Sequence, residues 1–154
     1  MAEIVSTQAA AVAAGTKLSN VESLGRLQMV TINSPATAAW AQNDTIASPV
    51  VLPTGTRITG LGKVFHQALG TSVTMDIGLR GVDSAQTVID VDGIADGLNV
   101  AAAGITDANT GLKVNDVASV YVTTVPCVVY ATLLSANPTD DAQFRIDIPV
   151  VLPG

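Results

Sequence analysis

The chain has 154 residues and a mass of 15.6 kDa, the size of one ordinary domain, and it can bury a real core without covalent staples. Only 13% of its residues are charged, against about 25% in common globular domains, while 48% are hydrophobic and mean hydropathy is +0.45, which excludes a chain disordered throughout. Seven basic against thirteen acidic residues give a net charge of −6 and no basic footprint for nucleic acid, and the single cysteine and single histidine exclude an internal disulfide, a cysteine-rich zinc site and any multi-histidine metal site.

Residues 1–25 are set apart as an N-terminal arm or short helix. Glu3 stands where a secretory signal would carry basic residues, and the apolar part is mostly alanine, which argues against such a signal. Gln8–Ala14, preceded by Ser6 and Thr7 and followed by Gly15, reads as a short capped helix or as an arm that orders on a partner. Ile4, Val5, Val12, Leu18, Val21 and Leu24 are spaced as apolar anchors for an interface.

Residues 26–154 read as a single all-β domain, an antiparallel β-sandwich or jelly-roll-like barrel of about eight strands. Val, Ile and Thr crowd this part of the chain, and their branched Cβ suits a pleated surface. Leu27–Asn33 is the first expected strand. Trp40 follows in a loop of small residues and is a candidate interface anchor, or equally a ring folded over its own core. Ile46–Leu52 and Arg57–His66 come next, the latter with Gly60 and Gly62 marking a bulge or a close backbone approach. Gln67–Ser72 reads as the turn into Val73–Leu79, where Val73, Met75, Ile77 and Leu79 face one way and Thr74, Asp76, Gly78 and Arg80 the other.

Thr87–Val91 is a further strand, and Ile94–Gly111 reads as a long loop with one helical turn near Leu98–Ala103. Val117–Thr139 is uncharged and long enough for a membrane helix, but its threonines and Pro126 favour two strands, Ser119–Val125 and Cys127–Leu134. Phe144–Val150 turns Phe144, Ile146, Ile148 and Val150 inward. Pro149 cannot donate a ladder hydrogen bond, so this strand is expected at an edge or end near that residue.

Enzyme chemistry lacks its parts. A Ser-His-Asp arrangement could use only His66, and no Gly-x-Ser-x-Gly elbow is present. Cys127 lies between Pro126 and Val128 in the most apolar run, where a thiol is buried and inert. A phosphate loop at Gly60, Gly62 and Lys63 fails, because Arg57 and Val64 occupy the positions that need glycine and a hydroxyl residue. Asp76, Asp83, Asp90, Asp92, Asp96, Asp107 and Asp116 concentrate mid-chain. A calcium loop starting at Asp90 fails at Ile94, Ala95 and Ala101. No catalytic residue, cofactor or metal site is expected.

A globule of this mass exposes about 7,000 Å². Its twenty charged residues cover that thinly, so neighbouring subunits are expected to hide part of the surface, in a homo-oligomer of closed cyclic symmetry.

The run Leu52–Ser84 resembles a pattern of small virion proteins of tailed bacteriophages, carried here by Pro53, Gly55, Arg57, Ile58, Leu69, Gly70, Ser72, Thr74 and Gly78. It covers about a fifth of the chain and describes a β-hairpin rather than a chemistry. The resemblance implies a capsid decoration (cement) protein or minor head protein: a non-enzymatic virion component with a trimer as its implied state. Such a protein assembles from the host cytoplasm, binds the major capsid protein and its own copies on the outer capsid surface, and engages neither nucleic acid nor membrane. An acidic surface suits the outside of a shell, since the inside faces DNA phosphates. A tail-tube, neck or baseplate component is the alternative, and a ligand-binding β-sandwich module of a fibre a further one.

Overall fold

A computed structural model describes residues 26–115 and 121–153. The expected arm, with its anchors Ile4, Val5, Val12, Leu18, Val21 and Leu24, lies outside the described residues, as do Asp116 and the start of the expected strand Ser119–Val125. The strands are β1 (Arg26–Asn33), β2 (Thr45–Ala47), β3 (Arg57–Ile58), β4 (Gly62–His66), β5 (Thr74–Gly81), β6 (Val88–Asn99), β7 (Gly104–Ala108), β8 (Cys127–Leu134) and β9 (Phe144–Leu152). A single helical turn, α1 (Leu112–Asn115), follows β7.

These strands form two antiparallel sheets facing each other. One has the order β1-β9-β4-β7, with the short β3 also paired to β9; the other has the order β2-β8-β5-β6. The expected β-sandwich is what the chain forms. With β3 set aside, the first and last strands are neighbours and most connections cross from one sheet to the other, which is a jelly-roll-like order.

The core follows from side-chain alternation. Met75, Ile77 and Leu79 of β5 are buried, and so are Ile146, Ile148 and Val150 of β9. The two inner faces meet there and close over Val30, Val64, Leu98 and Val129.

Several expectations need correction. First, Ile94–Gly111 is mostly not a loop: β6 runs on to Asn99 and β7 follows, and Ile94, Ala95, Leu98 and Val100 are core residues. Second, β9 is interior, flanked by β1 on one side and by β3 and β4 on the other. Pro149 is tolerated because it falls opposite the break between β3 and β4, where no ladder donor is needed. Its carbonyl instead accepts from the Thr59 amide at 3.2 Å and the Thr59 hydroxyl at 2.7 Å.

Third, Arg57–His66 is two strands, broken by a turn at Gly60–Leu61. Fourth, the Leu52–Ser84 pattern is no hairpin. β4 and β5 lie in different sheets, so Gln67–Val73 arches across the sandwich edge. Ile46–Leu52 likewise shortens to β2 plus a single bridge from Leu52 to Cys127.

Candidate functional site

The residues of the Leu52–Ser84 pattern come together as architecture. Pro53 to Thr56 form a tight turn in which Gly55 takes φ +86°, a left-handed conformation that glycine adopts without a steric cost. The Pro53 carbonyl accepts from the Thr56 amide (3.2 Å), the Thr56 hydroxyl (2.7 Å) and the Thr123 hydroxyl (2.7 Å). Thr56 and Thr123 are both buried, so this knot fixes the 121–125 segment against β3. Gly70 (φ +119°) and Ser72 (φ +66°) shape the second turn, and the buried Leu69 plugs it.

The residues weighed for chemistry are occupied otherwise. His66 is buried on β4, with Nδ1 3.2 Å from the Gln67 carbonyl and Nε2 3.0 Å from the Thr106 hydroxyl. Cys127 is 1% exposed, and burial pushes its thiol up to about 11, away from the range of a nucleophile at neutral pH. Asp83 is held below the usual carboxylate range by hydrogen bonds from the Thr87 hydroxyl and amide, which close a surface turn. Asp76 is raised by burial, partly offset by the Gly97 amide donating at 2.8 Å. Asp90, Asp92 and Asp96 line a small hollow of about 120 Å³ with Lys113. Among the described residues no group of three or more His, Cys, Asp or Glu side chains converges as a metal site would require.

Trp40 packs on its own domain. Its ring meets Phe144 with centroids 5.6 Å apart, and its Nε1–H donates to the Ala142 carbonyl at 3.2 Å. The ring is only partly buried, so it packs on its own core and still presents a face outward.

What remains is surface. Leu27 and Met29 of β1 are 70% and 56% exposed. At the far end of the sandwich Val82, Ile89, Val122 and Val125 are exposed around two adjoining clefts, of about 230 and 320 Å³, that share Ile89 and Val125. Sequence reading missed both patches. The signal was present for β1: in Leu27-Gln28-Met29-Val30-Thr31-Ile32 apolar residues occupy both parities, so one face had to leave apolar groups outside. Among the described residues no helix is long and apolar enough to cross a membrane. Among the described residues the arrangement offers contact surfaces on a rigid backbone.

No protein-family model matches the chain, and no curated protein matches it in sequence. Solved structures similar in fold include two phage capsid chains. A chain in the capsid of Ralstonia phage GP4 aligns with a TM-score of 0.62 and 14% identity, over 90% of this chain and 92% of that one. A chain in the capsid asymmetric unit of cyanophage Pam1 aligns with a TM-score of 0.50 and 16% identity, over 84% of this chain and 88% of that one.

Proposed function

We propose that this chain is a non-enzymatic virion protein, a capsid decoration (cement) protein that binds the outer shell as an oligomer and stabilises it. The observation that carries this reading is the end-to-end likeness to a chain of the GP4 capsid. The alignment takes in 90% of one chain and 92% of the other, so the similarity is to a whole small capsid component and not to one domain of a large protein. A chemically inert sandwich, a sparse and acidic surface and exposed apolar strips suit that role.

The partners are the major capsid protein and further copies of the chain. Residues 1–25 are the attachment arm, with Ile4, Val5, Val12, Leu18, Val21 and Leu24 as its apolar anchors. Stabilisation works by mass action. A protein that binds only the assembled shell lowers that shell's free energy by RT ln(1 + [L]/Kd), about 2.7 kcal/mol when free protein is at 100 Kd.

The test uses particles of the encoding phage stripped of this protein. Adding the full chain back should give co-sedimentation and a higher temperature of shell disruption. A variant lacking residues 1–25 should fold, by circular dichroism, and fail to bind. A full chain that leaves stripped shells bare overturns the reading.

A further inference from the structure

Among the described residues the sandwich has four outermost strands, and three are protected against pairing with another chain. β2 is only three residues long. β7 has five residues and carries the ion pair of Asp107 with Lys63. β6 is broken by register shifts along its pairing with β5 and packs against α1. Short length, charge and bulges are the devices that keep sheet edges from associating.

β1 has none of these. Its eight residues pair with β9 in an unbroken register from Arg26–Leu152 to Asn33–Arg145, with no proline, lysine or bulge. The Ser34 amide donates to the Phe144 carbonyl at 2.9 Å, and the Phe144 amide donates back to Ser34 Oγ at 2.8 Å. Continuing that alternation, even-numbered residues of β1 aim their backbone groups at β9. Leu27, Met29, Thr31 and Asn33 aim theirs away, and among the described residues no strand pairs with that side.

We propose that this edge docks the same edge of a second copy, the two β1 strands pairing antiparallel across a two-fold axis so that two sheets become one. A row of unpaired N–H and C=O groups is satisfied by a strand, and antiparallel self-pairing gives each copy the same bonds. Charge favours a second copy at this place. A chain of net charge −6 repels itself wherever its carboxylates face each other. On β1 and β9 the only acid is Asp147, already engaged by the Thr31 hydroxyl at 2.9 Å and Arg145 Nε at 3.0 Å. The only ionisable residue of β1 is Arg26, and antiparallel pairing sends the two copies of it to opposite ends of the joint. Leu27 and Met29 beside the seam lose exposure when the outer faces become continuous. The inference goes beyond the capsid reading and does not rest on it, because it is tested in solution.

The experiment is the mass of the full chain by light scattering at high micromolar concentration, with two variants. Met29→Pro removes one outward-facing donor while sparing the β1–β9 ladder. Met29→Lys adds an edge charge and keeps the backbone intact. The wild-type chain should run at twice 15.6 kDa, and both variants at the single mass with unchanged circular dichroism. Should Met29→Pro misfold, Met29→Lys alone decides. A wild-type chain at the single mass overturns the proposal, and so does any multiple, three included, that Met29→Lys leaves unchanged.

Discussion

Gly78 carries the backbone of Asp90 directly on its outer face. A Cβ on Gly78 would overlap the carbonyls of Asp90 and Val91, because β6 arches over β5 there instead of pairing evenly beside it. The register shows the arch: Ile77 pairs with Ala95 but Leu79 pairs with Asp90, so β6 uses more chain than β5 between those points.

Gly78→Ala should therefore be among the most damaging small changes in the domain. The obstructing atoms are backbone and cannot swing aside, so a loss of about 3 kcal/mol is expected, the upper end for overpacking. Gly104→Ala is the control. Nothing lies within 4 Å of its added Cβ and its φ is not left-handed, so it should gain about 0.4–1 kcal/mol through a less flexible unfolded chain. Urea denaturation of the two variants measures both. A Gly78→Ala midpoint equal to wild type would mean that the arch is not held over β5.

Asp76 makes a pH-dependent prediction. Burial raises its folded-state value above 3.8, and Asp96 and Asp92 add to the shift against the opposing Gly97 amide. The folded state thus holds this proton more tightly than the unfolded chain. Its contribution to stability is full below 3.8 and is lost as pH rises through the raised folded value. Asp76→Asn keeps an oxygen for the Gly97 amide and carries no charge. It should be more stable than wild type at pH 7, and the advantage should shrink as pH falls through the raised value. Urea midpoints at pH 7 and pH 3 give the comparison, and a constant difference between the two would contradict it.

The strands that could be read from the chain are those whose two faces differ. β5 and β9 alternate cleanly, and their inner residues are the core. The second half of β6 and all of β7 were hidden because Gly93, Gly97, Gly104 and the alanines between them have low intrinsic β preference; partners on β5 and β4 supply the ladder. Pro149 misled because the proline rule concerns one side of a strand at one residue. A gap between two short neighbours satisfies it as well as an edge does. The burial of Cys127 and His66 was legible in Pro126, Val128 and Phe65 beside them. The outermost place of β1 among the described strands was not, because which strand ends outermost depends on the pairing of distant segments.

Cys127 should behave as a buried thiol. At pH 8 a group titrating near 11 carries about a hundredfold less thiolate than one at 9.0, and the folded chain also screens the sulfur from reagent. Ellman's reagent should react with the native chain at least about 10²-fold more slowly than with the urea-unfolded chain. Rapid stoichiometric labelling under native conditions would show that the start of β8 opens readily.

Thr123 ties the turn of the resemblance pattern to the 121–125 segment. Its hydroxyl accepts from the Thr56 amide at 3.0 Å and donates to the Pro53 carbonyl at 2.7 Å, and it is 4% exposed. Thr123→Val keeps the shape and removes both bonds. The Pro53 carbonyl retains two other donors from Thr56, so the cost falls mainly on the lost bonds and on the buried Thr56 amide, whose remaining contact is the longer one to Pro53. A destabilisation of about 1–3 kcal/mol follows. Thr56→Val removes only one of the three donors to Pro53 and should cost less, about 1 kcal/mol. If denaturant melts rank the two variants the other way, the knot is held by the Thr56 hydroxyl, and the 121–125 segment is secured by its backbone bonds to Gly55, Thr56 and Ile58.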